Sequence, residues 1–501
     1  MNPVHNSTEP SSMHISIQSR ECSPELLERM PGSALFPERP IGAAIVNTLC
    51  RPNDSIICVT APAMEDIEHQ IDYFVRLDAA GRAEQHNHHT LRDRVTILSL
   101  DDGSPRWLSE KLLDPSRPEA AAACRYLESV VDHARRAGRR IELAYFEPSE
   151  PLERLAKRLD VVGDQAPAKC IQLGTKAAGR DIFQALHIPV ASGTALVHGL
   201  DALGTALVPL VRQGRRHFVL KLNSTEYGAG MGNAFFDLDD DTVADSGERD
   251  LASTIAERLP TAGVMDGKFG WSGFSSAVPV VGVLAEELIT GDQFRSPSFQ
   301  GRLTPDGPEV VSTHEQVLAP NRQSYTGSTF PAAESYRILI TAYGRRVGKA
   351  LHAKGIDRGD YGVDFIAVQR NGQWEVFACE LNLRATGTRH GFDMVTGLLG
   401  ATPDLDGELR VDGKCRVYLA SDNVADEGYV GLRPRQLIEA VERSPLHYNP
   451  SRRQGVVLHM MSPLPKYGKF GAVCIADSTA AACSMMSELR ELVDSLDATA
   501  R

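Results

Sequence analysis

Polar residues interrupt a predicted β-hairpin in the second half of the chain. Two apolar, roughly alternating runs at residues 363–368 and 374–381 flank the short turn Arg370-Asn371-Gly372. Alternating runs on either side of a glycine-containing turn are typical of a hairpin. Asp364 lies within the first run and Glu380 near the end of the second. Each predicted strand therefore carries a carboxylate among apolar neighbours.

Strand geometry predicts that these polar side chains meet. Because successive residues of a strand point to opposite faces, Glu380 and Asn382 share a face, and pairing across the hairpin can bring Asp364 beside them. Mg²⁺ is a hard cation that takes one or two carboxylates together with substrate phosphates. Arg384 follows on the same face, where a guanidinium can bind phosphate or carboxylate bidentately. Each residue alone is more simply a solvated one, but the set favours a metal site.

A glycine-rich segment lies upstream, between predicted strands at residues 218–222 and 234–236. The first strand carries Lys221. The glycines in question are Gly228, Gly230 and Gly232. Such a turn lets the backbone approach phosphate oxygens and offer N–H donors. It is neither a Walker loop nor a dinucleotide fingerprint, and by itself it is equally a flexible turn. Lys221 and the downstream carboxylates favour a phosphate cradle.

Two further segments could belong to the same site. Residues 280–289 form a predicted apolar strand with two acids near its end, Glu286 and Glu287. A strand of this kind suits a linker that runs past an adenine ring, although an acidic surface turn explains it about equally well. Lys176 opens a predicted amphipathic helix. Lys176 and Lys221 taken singly are more simply solvated lysines, so the order and spacing of the whole set carry the inference.

Composition limits the class of protein and of partner. The 501 residues are 42% hydrophobic and 24% charged, which is ordinary for a chain of two to four domains. A net charge of −12 argues against nucleic acid as a partner. We expect no membrane span, and nine scattered cysteines without a zinc spacing indicate free thiols in the cytoplasm. We expect His86, His88 and His89 to lie in a solvated loop rather than at a metal site.

Local patterns divide the chain into an α/β protein of several parts. Residues 1–30 are rich in Ser, Asn and Pro and are predicted to be a flexible tail. Residues 31–170 alternate strands with helices, which predicts a doubly wound parallel sheet. Residues 171–405 hold the candidate chemistry, within which residues 312–331 are expected to form a functional loop. Residues 410–501 are predicted to form a small α/β domain.

The hairpin with Asp364, Glu380 and Asn382 resembles the metal-binding hairpin of the ATP-grasp superfamily. Other motifs are similar to the pheganomycin-type peptide ligases, which combine a pre-ATP-grasp domain, a two-lobed α+β ATP-grasp domain and a small C-terminal domain. These motifs are Gly174-Thr175-Lys176 with Arg180-Asp181-Ile182-Phe183, Lys221-Leu222-Asn223, Tyr325-Thr326-Gly327 before Phe330-Pro331-Ala332, Gly455-Val456-Val457-Leu458-His459, and Tyr467-Gly468-Lys469-Phe470-Gly471. The match extends over nearly the whole chain after the tail.

The resemblance implies a role for each candidate residue. The hairpin trio would hold two Mg²⁺ ions of bound ATP, for which Mn²⁺ can substitute, and Arg384 would face the transferred phosphate. Lys176 and Lys221 would grip the phosphates. Adenine would meet Glu286 and the backbone of Glu287 and Ile289, while Gln293 stands where many members place a ribose-binding Glu.

The resemblance also implies a carboxylate–amine ligase. ATP would phosphorylate a substrate carboxylate, and an amine or peptide would attack the acyl phosphate to form an amide. Activation for a different nucleophile, nucleotide binding without catalysis, and an independent N-terminal binding module are the alternatives. A homodimer is compatible with the class.

Overall fold

The computed structural model describes residues 11–22, 27–28, 38–82, 88–226, 231–240, 248–318 and 325–496. The chain divides into two units. The first consists of Met1–Ala168 and Gly387–Arg501, and the second of Lys169–Thr386.

The N-terminal part of the first unit is built on a parallel sheet. Its strands are β1 (Ser12–Ser16), β2 (Ser55–Thr60), β3 (Val95–Ser99) and β4 (Arg140–Ala144), in the order β3-β2-β1-β4. The helices are α1 (Ile41–Leu49), α2 (Ile67–Arg82), α3 (His88–Arg92), α4 (Leu108–Leu113), α5 (Pro118–Arg136) and α6 (Glu150–Leu159). This confirms the predicted α/β class, because parallel strands joined through helices form such a sheet.

Strand β1 contradicts the prediction of a flexible tail for residues 12–16 of the range 1–30. Met13 and Ile15 alternate along it and are buried in the core that α5 and α6 cover. The strand pairs with both β2 and β4 and so lies inside the sheet. A short strand needs only a few alternating apolar residues, and the surrounding serines hid them. Of the histidine cluster, His86 lies outside the described residues, whereas His88 and His89 begin α3.

The second unit begins with an antiparallel sheet. Its strands are β5 (His217–Leu222), β6 (Asn233–Asp237), β7 (Gly263–Val264) and β8 (Val283–Glu287), in the order β7-β6-β5-β8. The helices are α7 (Lys176–Ala185), α8 (Leu200–Arg212), α9 (Glu248–Arg258) and α10 (Gly270–Val281). The strand expected over residues 280–289 is shorter, because Val280 and Val281 end α10 and Gly282 turns the chain at φ +81°.

A second sheet in this unit carries the predicted hairpin. Its strands are β9 (Gln293–Arg295), β10 (Pro297–Thr304), β11 (Gly307–Leu318), β12 (Tyr325–Phe330), β13 (Gly359–Arg370) and β14 (Gln373–Asn382), and α11 (Glu334–Ala353) follows β12. The path β14-β13-β10-β11-β12 is antiparallel throughout, and β9 pairs with β13. The loop predicted for residues 312–331 is wrong for the parts that β11 and β12 occupy, and residues 319–324 lie outside the described residues.

The C-terminal part returns to the first unit. Its strands are β15 (Leu409–Val411), β16 (Lys414–Ala425), β17 (Gly455–His459) and β18 (Lys469–Ala476), and its helices are α12 (Arg389–Leu399), α13 (Pro434–Arg443), α14 (Leu464–Tyr467) and α15 (Thr479–Asp494). Helix α12 packs on α1, where Asn47 Nδ2 donates to the carbonyl of Asp393 at 2.8 Å. Residues 387–405, predicted to belong with the central domain, are therefore part of the first unit.

Two predicted properties of the chain can be compared with the described residues. All nine cysteines are free. In the described parts of the chain, no helix has the length and apolar character needed to cross a membrane.

Candidate active site

The hairpin β13–β14 brings the three predicted metal ligands together. Asp364 is directly opposite Glu380 in the strand register. Asn382 donates from Nδ2 to Asp364 Oδ2 at 3.0 Å. The register shifts just after Asp364, at a β-bulge, and bulges often re-aim side chains next to active sites. Two carboxylates and one amide thus converge on one part of the sheet.

The two carboxylates have opposite electrostatic settings. Burial and the neighbouring charge of Glu380 raise the pKa of Asp364 to about 7. Burial also opposes ionisation of Glu380, but the Lys176 ammonium, whose Nζ donates to Glu380 Oε1 at 2.7 Å, outweighs burial and lowers the pKa of Glu380. Glu380 is therefore the permanent negative charge of the site, and Asp364 needs a further cation to ionise fully at neutral pH.

Lys221 belongs to a second buried cluster in the same unit. Its Nζ is 2.5 Å from Glu286 Oε2, and Arg180 Nη1 donates to Glu286 Oε1 at 3.0 Å. All three side chains are buried. Burial alone would lower the pKa of Lys221, but its interactions with Cys379 and with the Glu286 carboxylate raise the pKa above its ordinary value. Lys221 is a fixed cation, and Glu286 holds it in place.

Helix α7 is positioned against β14 by close contacts of small residues. A Cβ at Gly174 would lie 2.9 Å from the carbonyl oxygen of Leu381, and one at Gly179 would lie 3.2 Å from Leu381 Cβ. The N–H of Ala177 donates to Asn223 Oδ1 at 2.9 Å, which ties the helix to the end of β5. These contacts set the first residue of the helix, Lys176, over Glu380.

Arg384 lies near the carboxylates. It is half-buried, and its charge acts to lower the pKa of both Asp364 and Glu380. Its Nη1 donates to the carbonyl of Ala385 at 3.0 Å. A cation in this position can attract a transferred phosphate, as the sequence predicts.

The residues predicted to meet adenine and ribose lie in three different environments. The Glu286 carboxylate is engaged by two cations, and the Glu287 N–H donates to the Ser192 carbonyl at 2.7 Å. Ile289 is buried in an apolar cluster with Ala191 and Val368. Gln293 is exposed on β9 and donates from Nε2 to Gln369 at 2.8 Å. The nucleotide contacts of all four residues stay predictions.

The glycine-rich segment is described only at its end. Gly228 and Gly230 lie outside the described residues. The carbonyl of Gly232 accepts from the N–H of Leu222 at 3.0 Å, which closes the hairpin between β5 and β6. The phosphate cradle also stays a prediction.

Two residues of the site were not predicted from the sequence. Gln316 on β11 donates from Nε2 to Asp364 Oδ1 at 2.7 Å, and Arg180 on α7 shares Glu286 with Lys221. Gln316 lies in the segment that was predicted to be a loop. Arg180 was part of a recognised motif, but only the folded chain shows which acid it meets.

The hairpin trio fits a hard divalent cation that also binds phosphate. Among the described residues no group of three His, Cys, Asp or Glu side chains forms a self-sufficient metal site. Mg²⁺ does not require one, because it is commonly bound by one or two carboxylates with phosphate and water completing the shell. Burial and the charge of Glu380 raise the pKa of Asp364, and a divalent cation bound by this carboxylate pair would offset both effects. Lys176 adds positive charge beside Glu380, and Lys221 adds positive charge beside Glu286; the contacts of both lysines with phosphate stay predictions.

Comparison with solved structures identifies the fold. The biotin carboxylase of Campylobacter jejuni, solved as an ATP complex, superposes with a TM-score of 0.54 at 13% identity over 97% of this chain and 95% of that one. The biotin carboxylase domain of the Hydrogenobacter thermophilus 2-oxoglutarate carboxylase, solved with MgADP, has a TM-score of 0.50 at 12% identity, covering 96% and 89%. The chain therefore shares the ATP-grasp fold of these structures.

Two sequence comparisons narrow the class. The model of the PGM1 C-terminal domain matches residues 436–489. An L-propargylglycine–L-glutamate ligase of Streptantibioticus cattleyicolor is 27% identical over 486 residues, which is 95% of this chain and 92% of the relative. The chain is thus similar over nearly its whole length to a protein named as a ligase, which agrees with the resemblance that its motifs carry.

Proposed function

We propose that this protein is an ATP-dependent carboxylate–amine ligase that forms an amide or peptide bond. The observation that carries the proposal is the convergence of Asp364, Glu380 and Asn382. Lys176 forms an ion pair with the Glu380 carboxylate of this group. In the proposed reaction a carboxylate oxygen attacks the γ-phosphorus of ATP and ADP leaves. The amine then attacks the acyl phosphate, a C–N bond forms, and phosphate leaves.

The chain's own residues address the main barrier of the first step. An attacking carboxylate and a γ-phosphate repel each other, so positive groups must be in place beforehand. Lys221 remains protonated because its raised pKa lies far above neutrality, and Lys176 and Arg384 add two more cations. Mg²⁺ bound by the hairpin trio would supply Lewis-acid screening of the phosphate oxygens. The buried Glu286 keeps Lys221 from moving away.

The substrates proposed are amino acids or short peptides. The relative of known activity carries two amino acids in its name, which supports an amino-acid carboxylate as donor and an amino-acid or peptide amine as acceptor. A role in specialised peptide or natural-product biosynthesis in the cytoplasm is consistent with this chemistry and with nine free cysteines.

The proposal is tested by Mg²⁺-dependent ADP release, screened over pooled carboxylic acids with and without pooled amino acids and short peptides. We expect one acid–amine pair to yield ADP and a product lighter by one water than the sum of the two reactants. ADP release with an acid alone, or with a thiol or hydroxyl compound replacing the amine, would assign a different nucleophile. ATP binding without turnover in any pool would identify a nucleotide-binding module and refute the ligase.

The metal affinity is expected to depend on pH through Asp364. Because the pKa of Asp364 is raised to about 7, its proton must leave before the carboxylate can bind Mg²⁺. The apparent Mg²⁺ affinity should therefore rise with pH, by up to about tenfold per unit below pH 7, and level off above it. Magnesium titrations of turnover at several pH values measure this. Asp364→Asn is the control, because any pH dependence that remains in it comes from the titration of ATP itself. If the apparent Mg²⁺ affinity of that variant changes with pH as steeply as in the original protein, Asp364 is not the titrating group.

A further inference from the structure

A second group of polar side chains lies in the first unit, on the sheet of β16, β18 and β17. His459, at the end of β17, pairs with Gly471 of β18. A register shift between Ser421 and Val424 on β16 leaves Asp422 outside the ladder, next to the same part of β18. Lys469 precedes Gly471 by two residues and so points to the same face. The three strands place one imidazole, one carboxylate and one ammonium together.

His459 is the least satisfied of these groups. Its side chain is 1% exposed. Within the described residues, neither of its ring nitrogens has a hydrogen-bond partner. A neutral imidazole carries one donor and one acceptor, and buried polar atoms in native proteins are nearly always paired. Burial lowers the pKa of His459 to about 4, so the ring is neutral at physiological pH. It is suited to donate one hydrogen bond to a bound group.

The His459 ring lies against Gly471, a residue without a side chain. A Cβ at Gly471 would lie only 2.2 Å from His459 Cε1, so the glycine leaves the space that the imidazole occupies. The ring of His390, on α12, approaches His459 edge-on with a centroid distance of 4.7 Å. The imidazole is thus packed against Gly471 and the ring of His390.

Charged groups of both signs surround His459. Arg39 Nη2 is 2.7 Å from Asp422 Oδ2, and it also donates to the Gly387 carbonyl at 2.7 Å. The other oxygen, Asp422 Oδ1, is buried and has no hydrogen-bond partner among the residues that the structure describes. Over the same residues, Lys469 has no carboxylate within ion-pair distance, and burial lowers its pKa. The nearby Glu38 carboxylate accepts from the N–H groups of Met461 and Ser462.

The unsatisfied groups define a ligand with a negative and a positive end. Lys469 and the His459 N–H suit a carboxylate, and Asp422 Oδ1 suits an amino group. An α-amino acid, or the terminus of a peptide, offers groups of both kinds. We propose that Lys469, His459 and Asp422 form a binding site for the α-carboxylate and amino group of an amino-acid substrate. That this amino acid is a reactant of the ligase rests on the proposed function.

Binding to the full-length protein without ATP tests the site directly. Isothermal titration would use each of the twenty common L-amino acids, and then the α-amide and N-acetyl derivatives of any that bind. We expect at least one amino acid to bind and both derivatives to bind at least about tenfold more weakly. Failure of all twenty to bind, or equal binding of the blocked derivatives, would overturn the site.

Variants of Lys469 and Asp422 test whether the amino acid binds at these residues. Lys469→Met keeps the aliphatic stem, and removing a charged hydrogen bond should weaken amino-acid binding by about 10- to 100-fold. Asp422→Asn should also weaken it, but it disturbs the Arg39 pair, so the half-buried Lys469 is the decisive position. Lys466→Met, an exposed neighbour in the chain, is the matched control. Equal affinity in Lys469→Met and the control would refute the assignment.

Turnover measured in parallel separates this inference from the proposed function. If the protein ligates an amino acid and Lys469→Met leaves the KM for that amino acid unchanged, the site is wrong and the ligase stands. If Lys469→Met weakens amino-acid binding while no pool of acids gives ADP with the original protein, the site stands and the ligase assignment fails.

Discussion

Glu380→Gln is expected to lower Mg²⁺-dependent ADP release by about 10²- to 10³-fold or more, the range found when a single preorganised electrostatic group is removed. The substitution preserves shape but removes the permanent negative charge of the site. It also removes the counter-charge of Lys176, whose Nζ lies 2.7 Å from Glu380 Oε1. One change therefore affects both the proposed metal ligand set and the position of Lys176, the lysine proposed to bind phosphate.

The control for this variant is Glu375→Gln, on the same strand. Glu375 is exposed and pairs with Arg370 on the surface at 2.8 Å, and exposed pairs contribute little to stability. Its turnover and melting temperature should match those of the original protein. Unimpaired turnover in Glu380→Gln, at saturating or limiting Mg²⁺, would rule out Glu380 as a metal ligand.

The hairpin could be predicted from the sequence because its signals are local. Alternation, the Asn-Gly turn and the spacing of Glu380 and Asn382 together determine which residues share a face. The observed pairing of Asp364 with Glu380 follows from the same turn. Such local patterns predict the pairing correctly because the register of a strand is strongly specified wherever one of its faces is buried.

Other parts of the site depend on contacts that are distant in the chain. Gln316 reaches Asp364 across 48 residues, and it lies in a segment whose many turn-forming residues suggested a loop. In the structure those residues form β11 and β12 instead, since the pairing of β11 with β10 and of β12 with β11 outweighs weak local propensity. Strand β1 escaped prediction for a related reason: five residues between polar neighbours carry little signal.

Glu286 shows where spacing alone leads to an incomplete interpretation. The position of an acidic strand end was readable, and it suggested a contact with adenine. The structure adds that both carboxylate oxygens face buried cations, Arg180 and Lys221. Which cation meets which acid is decided by the packing of α7 against the sheet, and no local pattern encodes it. Glu286 is thus the shared partner of two buried cations, and we expect it to stabilise the site whatever its part in nucleotide binding.

Glu286→Gln is therefore expected to destabilise the second unit by about 3 kcal/mol, in the range found when one partner of a buried ion pair is removed. Two buried cations would lose their shared counter-charge, and an amide oxygen can accept from only part of that donor set. Urea or thermal unfolding of the full-length protein measures the loss. Asp237→Asn, which breaks the exposed pair with His217 at 2.7 Å on the same sheet, is the control and should change stability by less than about 0.5 kcal/mol.

The same variant also separates the structural role of Glu286 from a direct contact with nucleotide. If Glu286 acts by holding Lys221, then Glu286→Gln and Lys221→Met should each weaken ATP binding. The double variant should then be little worse than either single one, because coupled residues give non-additive effects. Additive losses in the double-mutant cycle would show that Glu286 contacts ATP independently of Lys221. Unchanged stability in Glu286→Gln would mean that water, rather than the carboxylate, satisfies the two cations.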